Sequence, residues 1–172
     1  MPVIAPYYCS TGKRDIVETL ARILVAQGKT LAVGESCTGG LISKRITDYP
    51  GSSSFFKGGV VAYGSLTKSG ILKIEESIME EKGIVSEEVA ALLAENSANL
   101  MEADFGIGLT GVAGPDGGTE DNPVGTICYS VVGHGKVRSF RKIFGGDRIA
   151  IRTRGSQAAL FSLLQILTDK LD

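Results

Sequence analysis

The chain has 172 residues, a length that suits one domain and allows a buried core without disulfides or a structural metal. Its 18 Lys and Arg nearly balance its 19 Asp and Glu, which argues against a dedicated nucleic-acid binder because phosphate contacts need a basic surface. The single histidine, His134, and three widely separated cysteines form no Cys/His cluster, so we do not expect a structural zinc site.

The cysteines and the apolar runs also bear on location. Cys9, Cys37 and Cys128 are scattered and odd in number, which is typical of free thiols in a reducing cytosol. No apolar run reaches the roughly 18–20 residues of a membrane span, and the first residues lack the apolar core of a signal peptide. We therefore expect a cytoplasmic protein that does not contact a membrane.

Hydrophobic spacing divides the first half of the chain into alternating helices and strands. Apolar residues recur at helical spacing before Gly28, a short apolar run precedes Ser36, and β-branched and aromatic residues surround Tyr63. The elements predicted here are, in order, a helix over 13–28, a strand over 31–36, a helix over 37–49, a loop over 50–59, a strand over 60–64 and short helical segments over 66–83.

The second half contains clearer start and turn signals. Ser86 is a good N-cap for a helix, Asp147 caps another, and Gly133-His134-Gly135 indicates a hairpin turn. The last helix is predicted to bury Ile151, Leu160, Leu163, Leu164 and Leu167, and Gly155 is expected to weaken it. The elements predicted here are a helix over 86–104, a strand over 105–111, a loop over 111–123, strands over 124–133 and 136–144, and a helix over about 148–171.

Alternating strands and helices with one late hairpin predict a three-layer α/β/α sandwich, with a mostly parallel sheet and an antiparallel edge hairpin. In such a sheet ligands bind where the carboxyl ends of strands lead into helices. His134 lies in the hairpin turn, so we expect it at an exposed tip, remote from that edge. A hydrolase of this kind would then have to work without histidine.

The first candidate segment is the strand-to-helix turn over 34–40. Ser36 could present its hydroxyl beside free helix N–H groups, which can stabilise an oxyanion or hold a phosphate. In the competing interpretation, Ser36 or Thr38 only caps the helix and the glycines only allow close packing. Cys37 could be a thiol nucleophile, but a small buried residue is the simpler interpretation.

The second candidate segment runs from 60 to 68. A nucleophilic serine needs a base, and Lys68 or Tyr63 could serve if burial and nearby dipoles lower the lysine pKa. Alternatively, Lys68 is a solvated helix residue and Tyr63 lies at the edge of the core.

The third candidate segment is the glycine-rich stretch over 110–119. After a buried strand, such a loop brings backbone N–H groups close to a phosphate or ribose, or it is an ordinary long loop. Arg148 and Arg152, four residues apart on one helix face, could clamp a phosphate or carboxylate, or they are solvated.

Three segments together resemble the CinA C-terminal domain family, the nicotinamide-nucleotide amidohydrolases. They are GESCTGGLISKRITDYPGSSSFFKGGVVAYGSLTK, TGVAGPDGGTEDNPVGTICYSV and FGGDRIAIRTRGSQAAL, at 34–68, 110–131 and 144–160. The resemblance implies one domain over 13–172 behind an extension at 1–12. Some relatives carry this domain behind a larger pyrophosphatase-type domain, for which we expect no room in this chain.

The resemblance implies hydrolysis of the carboxamide of nicotinamide mononucleotide (NMN) to nicotinate mononucleotide and ammonia, by a Ser/Lys mechanism without a metal or a cofactor. Its motif positions make Ser36 the nucleophile and Lys68 the candidate base, with Tyr63 beside it. The residues carried over to substrate binding are Thr38, Gly39, Gly40, Thr110, Gly111, Gly114, Arg148 and Arg152. The expected partner is a small-molecule nucleotide, and a homo-oligomer is plausible for such a compact sandwich.

The chain departs from the family pattern at two places. Relatives often have Tyr-Ser-Asn-Glu-x-Lys, whereas this chain keeps the tyrosine and lysine but reads Gly64-Ser65-Leu66-Thr67 between them. The stretch over 152–157 is more polar and contains Gly155. These departures motivate two alternatives, a nucleotide-binding module of the same fold without catalysis and an amidohydrolase acting on a related amide.

Overall fold

The computed structural model describes residues 15–168, so the predicted N-terminal extension and Cys9 lie outside the described residues. The described chain contains five strands: β1 (Leu31–Glu35), β2 (Phe56–Val61), β3 (Phe105–Gly111), β4 (Thr126–Gly133) and β5 (Lys136–Ile143). It also contains six α-helices: α1 (Ile16–Ala26), α2 (Leu41–Thr47), α3 (Ser65–Gly70), α4 (Glu76–Lys82), α5 (Glu87–Leu100) and α6 (Arg148–Leu167).

The strands form one mixed sheet in the order β2-β1-β3-β4-β5. Strand β1 pairs in parallel with β2 and β3, whereas β4 pairs antiparallel with both β3 and β5. Four of the five strands therefore run in one direction and only β4 opposes them. This confirms the predicted fold class, a parallel sheet ending in an antiparallel edge hairpin.

The two faces of the sheet carry different layers. On one face, alternate strand residues such as Leu31, Val33 and Ile107 pack with α1, α2 and α6 in the main core. All five predicted stripe residues of α6 are buried there. Gly155 is buried opposite Ile127, so its missing side chain lets α6 approach β4 closely.

Helix α5 packs against the other face on a stripe of glycines. A Cβ built at Gly34 would lie 2.5 Å from the backbone oxygen of Leu93, and Cβ atoms at Gly106 or Gly108 would overlap backbone atoms of α5. The predicted N-cap of this helix is confirmed, since Ser86 Oγ accepts a hydrogen bond from Val89 N at 3.2 Å.

Two predicted boundaries around the site are wrong. Strand β2 begins at Phe56, inside the loop predicted over 50–59. The prediction missed this start because glycine is depleted in strands and the segment contains Gly58 and Gly59. Both glycines lie where other elements come close, Gly58 against Met101 and Gly59 against the Ser43 hydroxyl. The helix predicted over 37–49 begins only at Leu41, and the preceding residues form a turn in which Gly39 and Gly40 have φ of 58° and 90°.

Candidate active site

The Ser36 turn connects β1 to α2 at the carboxyl edge of the parallel strands. Ser36 is 8% exposed, and its backbone N–H donates to Leu109 O at 2.9 Å, which holds the turn against β3. The N-cap of α2 is Gly40, and no side chain there caps the helix. The interpretation of Ser36 or Thr38 as a capping residue is therefore wrong.

The residue that supplies the missing cap is Glu35, which the sequence interpretation did not single out. Its side chain is fully buried, and its carboxylate accepts hydrogen bonds from Ile42 N at 3.0 Å and from Ser43 N and Oγ at 2.8 Å. A sequence signal existed: a glutamate ends a strand, and a Gly-Gly pair stands where the next helix needs a capping side chain. Because Glu35 takes up the N–H groups of Ile42 and Ser43, these two groups of α2 are not free to donate to an oxyanion.

Lys68, on α3, is buried against Ser36. Its exposure is 1%, and its ammonium nitrogen donates to Ser36 Oγ at 3.1 Å, Ala62 O at 2.7 Å and Tyr63 O at 3.4 Å. The alternative of a solvated helix residue is therefore wrong. Burial lowers the pKa of Lys68, because removing the amine from water disfavours its charged form.

The partners of Lys68 determine how it can act. A neutral lysine amine has two N–H bonds and one lone pair. If the two backbone carbonyls accept the two N–H bonds, the lone pair is left for the Ser36 hydroxyl. This geometry suits proton removal from Ser36 Oγ.

Tyr63 lies at the rim of the site and is not a core residue. Its side chain is 62% exposed, and its hydroxyl accepts a hydrogen bond from Arg148 Nη2 at 3.1 Å. Only its carbonyl contacts Lys68. The phenol is thus paired with Arg148 in this structure, and a proton relay between Ser36 and Lys68 through it would require a rearrangement.

A cavity of about 360 Å³ opens beside Ser36 and Lys68. The structure brings seven of the predicted site residues to its wall: Ser36, Tyr63, Lys68, Thr110, Gly111, Gly114 and Arg148. Arg148 spans its mouth, since Nη1 donates to Gly114 O at 2.8 Å while Nη2 donates to Tyr63. Asp116 also lines this wall.

Four predicted binding residues, Thr38, Gly39, Gly40 and Arg152, do not line this cavity. Thr38 is completely buried, and Arg152 Nη2 donates to its carbonyl oxygen. Arg152 also lies against Gly39, 3.3 Å from where a Cβ would stand. In this geometry Arg152 supports the Ser36 turn, and Arg148 is the arginine that faces the cavity.

The other nucleophile and base candidates fit the site poorly. Cys37 lines the cavity, but burial raises its pKa to about 12, so the reactive thiolate is disfavoured. His134 is exposed at the hairpin tip, beside the beginning of β3 at Phe105, whereas the cavity lies where β3 ends. The predicted remoteness of His134 is thus confirmed.

Fold and site together define an α/β domain with a serine–lysine pair at the carboxyl edge of its parallel strands. The chain belongs to the CinA C-terminal domain family, whose model matches residues 13–167.

Curated relatives and a solved structure support this assignment. The chain is 40% identical over 169 residues to a CinA-like protein of Mycobacterium avium, a match that covers 94% of this chain and 38% of that protein. A CinA-like protein of Leptospira biflexa is 39% identical over 158 residues, covering 91% and 38%. The crystal structure of a competence-damaged protein (CinA) superfamily protein from Escherichia coli superposes with a TM-score of 0.85 at 30% identity, covering 88% of each chain.

The chain spans about two fifths of the length of the curated relatives it matches. Between residues 15 and 168, no helix is long and apolar enough to cross a membrane.

Proposed function

We propose that this domain hydrolyses the carboxamide of NMN to nicotinate mononucleotide and ammonia, and so recycles pyridine nucleotide. The observation that carries the proposal is the 3.1 Å contact between Lys68 Nζ and Ser36 Oγ at the wall of the cavity. The resemblance to the nicotinamide-nucleotide amidohydrolases supplies the substrate.

The first half-reaction forms an ester on the enzyme. Neutral Lys68 takes the Ser36 hydroxyl proton as Ser36 Oγ bonds to the carboxamide carbon, whose oxygen becomes an oxyanion. Ser36 and Cys37 are the turn residues that line the cavity, and Ser36 N–H already donates to Leu109 O, so the backbone N–H of Cys37 is the candidate donor for this oxyanion. Lys68 then gives the proton to the amide nitrogen, the C–N bond breaks, and ammonia leaves.

The second half-reaction restores the enzyme. Lys68 takes a proton from water, the water oxygen bonds to the ester carbon, and the bond to Ser36 Oγ breaks. The proton returns to Ser36, and nicotinate mononucleotide leaves. The substrate phosphate needs a cationic partner, and Arg148 at the mouth of the cavity is the candidate.

The experiment is an ammonia-release assay on the purified domain with NMN, beside a calorimetric titration of NMN binding. Ser36→Ala should lower kcat at least about 10³-fold, because the nucleophile is gone. Ser69→Ala is the matched control, since Ser69 is on the same helix as Lys68, does not line the cavity and donates its hydroxyl to Ser65 O. We expect it to keep wild-type turnover.

A second candidate function is a nucleotide-binding module without catalysis. It is motivated by the altered 64–67 stretch, in which Leu66 is 84% exposed. Lys68 nevertheless reaches Ser36 across this stretch, which favours the enzyme. If the wild type binds NMN but releases no ammonia, the result would instead support the binding module. If ammonia is released from another pyridine amide in a substrate panel, that amide would replace NMN as the proposed substrate.

A further inference from the structure

Glu35 links the two halves of the Ser36–Lys68 pair. Through its side chain it holds the first turn of α2, and through its backbone oxygen it accepts a hydrogen bond from Ala62 N at 2.7 Å. The carbonyl of the same Ala62 accepts from Lys68 Nζ at 2.7 Å. One residue therefore borders the serine in sequence and anchors the peptide that orients the lysine.

The carboxylate is what closes the turn between β1 and α2. Gly39 and Gly40 have positive φ and no side chains, so the turn supplies no side-chain cap of its own. The three hydrogen bonds of Glu35 tie the strand residue before Ser36 to Ile42 and Ser43, beyond the turn. The ends of the segment that carries Ser36 are thereby fixed relative to each other.

Burying a carboxylate among neutral partners costs free energy, and hydrophobic packing alone does not explain why one stands at this position. A carboxylate can accept several N–H and O–H bonds at once, and bonds to an ionised acceptor are shorter and stronger than neutral ones. A carboxamide at this position keeps one acceptor oxygen but turns an NH₂ group toward donors. The site thus contains a residue type whose chemistry matches the task of holding the turn.

We propose that Glu35 is a positioning residue for the reaction: its carboxylate holds the 36–40 turn so that Ser36 Oγ stays within reach of Lys68 Nζ. The role of Glu35 rests on the proposed function for the identity of the substrate. The pairing of Ser36 with Lys68 does not depend on that identity. Glu35 contacts neither the Ser36 hydroxyl nor the Lys68 amine. It acts through the turn and through Ala62.

The test compares Glu35→Gln with wild type in two assays. In the NMN assay, Glu35→Gln should lower kcat about 30-fold while KM stays within about threefold, because the substrate wall is unchanged and only the Ser–Lys geometry is lost. The pH at which the rate reaches half its plateau should not move, since Lys68 stays buried against the carbonyls of Ala62 and Tyr63. In the second assay, a fluorophosphonate probe labels Ser36 and mass spectrometry follows the rate, which should fall in parallel.

The control is Asp104→Asn, which removes hydrogen bonds to Lys29 and Thr30 at the amino end of β1, the end opposite to the turn. It should lower Tm without changing kcat or labelling. Unchanged kcat and labelling in Glu35→Gln would overturn the proposal, as would an equal loss in Asp104→Asn. If Glu35→Gln does not fold, Ser43→Ala decides, because it removes one of the three contacts. Labelling about threefold slower supports the proposal, and an unchanged rate overturns it.

The two proposals fail in different ways. If the wild type releases no ammonia from NMN but Ser36 is labelled, and more slowly in Glu35→Gln, the substrate is wrong and the positioning role stands. If Ser36 of the wild type is not labelled at all, no activated serine exists and the positioning role falls.

Discussion

The substitution Lys68→Met separates the base from the packing of α3. Methionine nearly matches the length of the lysine stem, and Lys68 is the only buried residue of this helix, so the helix should keep its place. The amine is lost, and with it the partner of Ser36 Oγ. Loss of a positioned base typically costs 10²–10⁴-fold in rate, or about 2.7–5.5 kcal/mol of barrier.

The same substitution has a stability signature whose sign follows from the lowered lysine pKa. The unfolded chain binds the Lys68 proton up to about pH 10.4, whereas the folded chain releases it at lower pH. Wild-type stability therefore rises with pH between the folded and unfolded pKa values, and the methionine variant lacks this rise. In Lys68→Met the carbonyls of Ala62 and Tyr63 lose their donor, which costs about 1–3 kcal/mol each. This loss is opposed because the variant no longer has to bury an amine.

The assay is ammonia release from NMN over pH 6–10, beside urea unfolding at each pH. The wild-type rate should rise with pH through the lowered pKa of Lys68, and Lys68→Met should stay at a low rate throughout. A folded variant that retains more than about one tenth of the wild-type rate would show that another group removes the Ser36 proton. Identical pH dependence of stability in both proteins would show that the folded lysine is not a perturbed base.

Three further predictions concern residues outside the Ser–Lys pair. His134→Ala should leave turnover within about twofold, since the ring stands at the hairpin tip; a large loss in a folded variant would contradict the histidine-free mechanism. Asp104→Asn should lower the free energy of unfolding by about 0.5–1 kcal/mol at pH 7, because Asp104 accepts from Lys29 and its pKa is lowered to about 2. This difference should fade as the pH falls from 4 through 2 in urea unfolding, and a constant difference would contradict the linkage. Gly108→Ala should lower the free energy of unfolding by about 3 kcal/mol, because α5 must move away. Gly145→Ala, which has open space around it, should lower it by less than about 1 kcal/mol in the same unfolding assay. Equal losses of stability would refute the packing argument.

Most of the fold could be predicted because its elements are locally consistent. The apolar stripe and the Asp147 cap predicted α6. Strand β3 was also predicted, although it begins with Phe105 followed by Gly106. The start of β2 was missed because Gly58 and Gly59 are poor strand formers that only tertiary contacts explain. Local propensity therefore fails where two elements come too close for a side chain.

The site was predictable in part for a related reason. Serine and lysine are the residue types that the proposed chemistry needs, so residue type and family motif identified Ser36 and Lys68 as candidates. Thr38 lies in the same motif and Arg152 in the third one, but the direction in which a turn points its side chains depends on contacts between distant residues, such as that between Arg152 and the Thr38 carbonyl, 114 residues apart. Glu35 was missed because its role lies in hydrogen bonds made after the turn has folded.

Helix α3, which carries Lys68, has one buried side chain, that of Lys68 itself. Helix α3 has six residues, its N-cap Gly64 offers no side chain, and Leu66 points into solvent. Short elements with few buried contacts open in local fluctuations that leave the rest of the protein folded. On warming, the base can therefore separate from Ser36 while the sheet stays intact, so activity should decline below the global melting temperature. Amide hydrogens of 65–70 should accordingly exchange faster than those of β1 and β3.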